Sequence, residues 1–217
     1  GGSMMAMIDS KRKGLTRRSV VVSGSAFCLL SLVGCELPGS GPAPRRIRLS
    51  AADSFPPNMP AVAWTLQVQE PTTTLSLNSA RIAIGVANDI TYLATGEWAS
   101  RAPEMVMELL VQSFRNSNKI LTVGDRRARI RPEFDLQLRL SAFHIEKTAE
   151  DVGTVRVGLD TTLVKRPQRD PLAASGFESS AQVSPLTLDD IVAAFDESLR
   201  DVMEQVVEWT LQTGANV

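Results

Sequence analysis

Two cysteines, Cys28 and Cys35, and one histidine, His144, are all the thiol and imidazole that this 217-residue chain contains. Two thiols close at most one bridge, which excludes a disulfide-stapled scaffold. Three such residues also fall short of the four ligands that a structural zinc site usually takes. Aromatic residues make up only 5% of the chain, so a core drawn from its 43% hydrophobic residues is mostly Val, Leu, Ile and Ala. Positive charge is not in excess: 23 Lys and Arg stand against 24 Asp and Glu, which argues against a nucleic-acid binder. Beyond residue 35 there is no Gly-rich phosphate loop and no Gly-x-Ser-x-Gly nucleophile turn. The residues therefore suggest no catalytic, cofactor or metal site.

The N-terminal 34 residues read as an export signal. Gly1-Gly2-Ser3 ahead of Met4 read as an appended remnant. A basic stretch (Lys11, Arg12, Lys13, Arg17, Arg18) precedes an apolar one from Val20 to Val33. That stretch is shorter than the roughly 20 residues a spanning helix needs, and it fits the apolar segment of a secretory signal. It ends in Leu32-Val33-Gly34-Cys35, which resembles the bacterial lipobox. The resemblance implies cleavage before Cys35, with a diacylglycerol on its thiol and an acyl chain on the new N-terminus. These chains are the only added group expected; several of them, at about 0.8 kcal/mol per buried methylene, give stable anchoring. Thr16-Arg17-Arg18 more loosely resembles a twin-arginine signal. Glu36, where an Asp favours inner-membrane retention in enteric bacteria, points toward the outer membrane. Cleavage would take the charge counts from 23 and 24 to 18 and 23, a net charge of -5.

Residues 35–60 hold Pro38, Gly39, Ser40, Gly41, Pro42, Pro44, Pro56, Pro57 and Pro60, the composition of a flexible tether. Arg45, Arg46 and Arg48 within it read as solvated, with anionic head groups as the other reading. Residues 61–213 read as the folded domain. Val62, Trp64, Leu66 and Val68 alternate at the strand period, as do Ala80, Ile82, Ile84 and Val86. Ser100 then reads as a helix cap, with Pro103 and Glu104 in the first turn. Ala102, Val106, Leu109, Leu110 and Phe114 form its buried stripe. A short strand at Ile120–Val123 precedes a long one in which Phe134, Leu136, Leu138 and Leu140 share a face. Phe143 and Ile145 fall on the opposite phase, which predicts a bulge near Ser141. Val155 to Leu163 alternate as a hairpin partner, and a weaker strand is expected around Phe177–Val183. Thr187 and Asp190 resemble a capping box for a last helix of about 24 residues. Its apolar stripe runs from Leu188 to Thr210, and Gly214 is expected to end it. The order β-β-α-β-β-β-β-α predicts an α+β domain, a single mostly antiparallel sheet packed by two helices.

Few side chains carry candidate chemistry. Arg126, Arg127, Arg129 and Arg131 cluster ahead of the long strand. They read as a solvated edge that discourages pairing, or as a contact for an acidic partner or lipid head groups. His144, between Phe143 and Ile145, reads as a sheet-face residue; a periplasmic hydrolase built on it is the competing reading. The acidic side of the last helix (Asp189, Asp196, Glu197, Asp201, Glu204, Glu208) reads as a solvated face rather than a metal site. Trp98 and Trp209 read as core-edge residues.

Taken in order, several segments are similar to the ABC-type transport auxiliary lipoprotein family. They are Cys35, Ala63-Trp64-Thr65-Leu66, Tyr92-Leu93 with Glu97-Trp98-Ala99, and Asp135-Leu136-Gln137-Leu138 leading to Ala142-Phe143. Phe177-Glu178, Ala193-Ala194-Phe195-Asp196 and Val207-Glu208-Trp209-Thr210 complete the series. Trp64 stands where members often have Tyr. The resemblance implies a non-catalytic lipoprotein that works with an MCE-domain (mammalian cell entry) protein and an ABC permease and ATPase to move lipids between two membranes. It also implies a periplasmic location, on the outer membrane more than the inner, and a homo-oligomer, since a ring is known in the family. An outer-membrane lipoprotein that plugs or helps assemble a β-barrel is the alternative.

Overall fold

The computed structural model describes residues 43–217; the signal, Cys35 and the first part of the tether lie outside the described residues. Its elements are β1 (Arg45–Ile47), β2 (Val62–Val68), β3 (Arg81–Val86), β4 (Asp89–Trp98), α1 (Ala102–Ser117), β5 (Ile120–Gly124), a 3-10 turn (Arg126–Ala128), β6 (Phe134–Ala149), β7 (Val152–Lys165), β8 (Asp170–Val183) and α2 (Leu188–Ala215). The α+β class holds, with eight strands in one sheet and two helices.

The long alternating strand is the spine. One edge of β6 carries β7 along its whole length, antiparallel, and β7 carries β8 in the same way. The other edge is shared. Near its start β6 pairs in parallel with β2 (Leu66 opposite Phe134), which in turn pairs with β5. Near its end it pairs in parallel with β3 (Ala83 opposite His144), which carries β4 and then β1. The long ladders are antiparallel, so the sheet is mostly so by length; the short arms supply the parallel pairs.

The phase change read at Ser141 is a bulge: the register with β7 slips between Leu140 and Ala142. A Cβ on Gly158, opposite, would lie 2.7 Å from the Ser141 hydroxyl, so a larger residue there would force that hydroxyl to turn aside. The slip returns Phe143 to the helix-covered face, where its ring meets those of Trp98 and Phe195 at 5.3 and 5.0 Å. Trp98 and Phe195 close the triangle at 5.0 Å, and none of the three is more than 1% exposed. Trp98 is thus central core rather than core edge, while half-buried Trp209 packs edge-on against Phe177.

Several boundaries differ from the sequence expectation. Two strands, β1 and β4, join the six expected. Against two residues of β3, β4 spends five (Arg81 opposite Glu97, Ala83 opposite Tyr92), which breaks the alternation that would have marked it. β8 begins at Asp170, seven residues before Phe177, in a run of Ala, Ser and Gly with no large apolar residue to signal a strand beyond Leu172. The cap of α1 is Arg101, not Ser100, and it makes no side-chain cap bond. It is held instead by Arg101 to Glu70 and Asn78, each at 2.6 Å. Thr187 does cap α2, accepting the Asp190 N–H at 3.2 Å. Gly214 does not end that helix; it lies within it, where any side chain would run into the Trp64 ring.

The domain also begins earlier than Ala61. β1 pairs with β4, and Ile47, Leu49, Ala52 and Met59 are buried in the core. Asp189 of α2 takes Arg45 at 2.9 Å, and Asp196 accepts the Ser50 N–H at 2.6 Å. Part of the acidic side of α2 therefore holds this arm. Composition misled here because the prolines flank a few large apolar residues that find a groove between β4 and the helices. Leu49→Ala is expected to lower stability by about 2–4 kcal/mol in urea unfolding followed by tryptophan fluorescence. A free tether at this position would show no change.

Candidate functional site

Helices cover one face of the sheet. On the other face, the alternate residues of β6, β7 and β8 are polar and pair across strands. Arg139 lies 3.8 Å from Asp160, and Arg156 lies 3.3 Å from Glu146 and 3.9 Å from Glu178. These exposed pairs consume most of the charge of the open face and contribute little stability each. Besides a small depression at Arg156 and Glu178, this face has one toward each end of β6.

The first lies at the Phe134 end, with a volume of about 660 Å³. Arg126 reaches it from the 3-10 turn; Arg166 and Arg169 reach it from the β7–β8 loop. Asp135 forms part of its wall. One of its carboxylate oxygens lies 3.4 Å from Arg166, and the other is buried with no hydrogen-bond partner. Arg126 and Arg169 have no carboxylate within ion-pair distance among the described residues, while Glu70, which also lines the hollow, is taken by Arg101 at 2.6 Å.

The four arginines of the sequence cluster therefore separate. Arg126 joins the hollow. Arg127 turns to α1, 3.1 Å from Glu104 and 3.9 Å from Glu108, and its backbone N–H is capped by Asp125. The Glu104 hydrogen bond, then the Asp125 charge, hold its proton more tightly than usual. Arg129, in the left-handed region at φ 49°, and Arg131 stay exposed outside the hollow. Arg166 and Arg169 escaped the sequence reading. Their signal, two arginines three apart in a polar loop, means nothing until the β6–β7 register brings that loop beside Arg126.

The second depression, about 310 Å³, lies at the other end beneath the β3–β4 hairpin. His144 and Ser141 of β6 meet Ala83 and Gly85 of β3 there, with Leu77 and Ile90 at the sides. No carboxylate is hydrogen-bonded to the imidazole among the described residues, so nothing orients it as a triad histidine would be. Burial, more than the opposing charge of Glu146, lowers its pKa below the usual 6.5.

Removing Arg166 leaves the Asp135 carboxylate buried and unpaired, so Arg166→Ala should cost about 1–3 kcal/mol. The double variant Asp135→Asn, Arg166→Ala should recover most of that loss in the same denaturation assay. For His144, a lowered folded pKa means that the unfolded chain takes up the proton first as pH falls. Its contribution is fully present above about pH 6.5 and declines below it. His144→Gln should flatten the fall in stability between about pH 6.5 and 5, read by urea unfolding across that range.

Comparison with known proteins covers the same body. The family model of the ABC-type transport auxiliary lipoprotein component matches residues 48–207. An uncharacterized protein of Bradyrhizobium diazoefficiens, bll6063, is 23% identical over 199 residues, which is 91% of this chain and 52% of that protein. The chain thus spans about half the length of this curated relative. Protein XCC0632 of Xanthomonas campestris has a crystal structure that superposes with a TM-score of 0.74 at 23% identity, over 79% of this chain and 97% of that one. A second solved structure, of an uncharacterized protein, gives a TM-score of 0.55 at 9% identity, over 76% and 97% of the two chains. Both share the fold.

Proposed function

Because the chain belongs to the ABC-type transport auxiliary lipoprotein family, we propose that it is a non-catalytic subunit of an MCE/ABC-type lipid transport system. In this reading a lipid on Cys35 holds it at the periplasmic face of the cell envelope, on the outer membrane more than the inner. The folded body docks, as a homo-oligomer, on the MCE-domain assembly that spans the gap to the ABC permease and ATPase. The observation that carries the reading is the family match, which runs from just after β1 to within the last third of α2. The geometry supports it in two ways. The open face pairs Arg139 with Asp160 and shares Arg156 between Glu146 and Glu178, and the one imidazole lacks an orienting partner. Among the described residues no helix is long and apolar enough to cross a membrane, so a covalent lipid is a fitting means of attachment.

The arginine hollow is the docking surface this reading favours, since an acidic loop of a partner would meet Arg126 and Arg169 unopposed. Tagged full-length protein drawn from native membranes in mild detergent should bring an MCE-domain protein and an ABC permease with it, identified by mass spectrometry. Recovery of a β-barrel alone would favour the plug or assembly role instead. Arg126→Glu combined with Arg169→Glu should cut recovery of the MCE protein about tenfold, equivalent to roughly 1.4 kcal/mol, with the melting curve unchanged. Arg127→Ala, whose charge is spent on α1, should leave recovery as it was.

A further inference from the structure

We infer that the β3–β4 hairpin end of the domain, through Leu75, Val86 and Ile90, rests in the surface of the lipid bilayer. The inference goes beyond the proposed function and rests on its lipid anchor at Cys35.

The direction of β1 carries it. β1 runs parallel to β4, with Arg45 opposite Gly96 and Arg46 opposite Glu97. β4 starts at the hairpin tip, at Asp89, and runs away from it. The N-terminal end of β1, at Arg45, is therefore the end nearer the tip. Glu97 is opposite Arg81, and five residues of β3 separate Arg81 from Val86, a distance of about 17 Å. The arginine end lies the other way. Arg81 sits level with Ala142 of β6, eight residues or about 25 Å from Phe134. Ten residues link Cys35 to Arg45 and span at most about 33–36 Å. They reach the tip with slack. They reach the arginine end only by reversing at Arg45 and drawing nearly straight.

Exposure is distributed to match. Ile90, 53% exposed, lines the hollow beneath the hairpin, and Val86, 41% exposed, sits at its tip; Leu75, 91% exposed, lies between Thr74 and Ser76, which line the same hollow. Val152, 36% exposed, follows the β6–β7 turn at the same end. At the opposite end, Leu121 of β5 is 68% exposed and Val217, beyond the end of α2, 59%. Single exposed apolar residues are ordinary on a monomer. A group of them at the end toward which β1 opens, within reach of an anchor at Cys35, is what an interfacial contact requires. Asp89, Glu150 and Asp151 flank the same end, so the contact stops at head-group depth, where carboxylates stay hydrated. The other candidate for a bilayer contact is the arginine end, drawn by anionic lipids at about 1 kcal/mol per arginine. The two contacts put opposite ends of β6 on the membrane, so one experiment separates them.

The lipidated full-length protein, in which Cys28 has left with the signal and the Cys35 thiol is acylated, offers no free thiol. Single variants Leu75→Cys, Ile90→Cys and Leu121→Cys would each carry an environment-sensitive fluorophore. They would be reconstituted in phosphatidylethanolamine–phosphatidylglycerol vesicles doped with nitroxide-labelled phosphatidylcholine. Flotation of the vesicles first reports whether the anchor holds, with Cys35→Ser as its control. Labels at residues 75 and 90 should be quenched about twofold more than the label at 121 and emit at shorter wavelength. Floating protein with no quenching at 75 and 90, or with quenching at 121 instead, would overturn the inference and leave the anchor standing. Protein that does not float would overturn the anchor and the inference together.

Discussion

The contact of three rings, Trp98, Phe143 and Phe195, holds the architecture together. It joins the short arm of the sheet (β4), its spine (β6) and the last helix at one fully buried point. Its existence depends on the bulge at Ser141. Without the extra residue Phe143 would point to solvent, and every apolar residue after it would do the same. Gly158, opposite, leaves room for the Ser141 hydroxyl at the bulge. Other features hang on this point. Once Trp98 is fixed, β4 presents its edge to β1, and α2 lies close enough for Asp189 and Asp196 to take the N-terminal arm. Gly96 completes the junction, because a Cβ there would come within 3 Å of both Ile47 and Leu188.

A continuous spine gives the molecule two unlike ends. One has arginines from two loops around a polar hollow; the other has a hairpin with exposed aliphatic side chains. The strands between carry charge that is balanced locally. Such a body suits a part that is held at one end and touches something at the other. Asp135 is the informative exception on the open face: a buried carboxylate with one oxygen unpartnered is costly. Arg166 offsets that cost, and so fixes the β7–β8 loop against β6.

Local signals in the sequence were read correctly where one side chain pattern decided the outcome. The stripe on α2 and its Thr187–Asp190 cap, the alternation of β2, β3, β6 and β7, and the slip at Ser141 are all visible in the order of residues. Features whose cause lies elsewhere in the chain were not. β1 is three residues in a proline-rich stretch, and only the exposed edge of β4 makes a strand of it. Gly214 looks like a helix stop until Trp64 is placed against it. Ser100 looks like a cap until Arg101 is seen reaching Glu70 and Asn78.

The same division applies to function. The sequence by itself determined the secondary structure periods, the expectation of a lipid at Cys35 and the family resemblance, since each depends on neighbours within a few residues or on motif order. Only the tertiary structure decided which arginines act together. Arg126 and Arg127 are adjacent, yet one faces a hollow with Arg166 and Arg169 and the other is bound to α1. The 3-10 turn after β5 sends the two apart, and the register of β6 and β7 brings Arg166 and Arg169 beside Arg126; register is a property of two strands, fixed by which side chains both can bury.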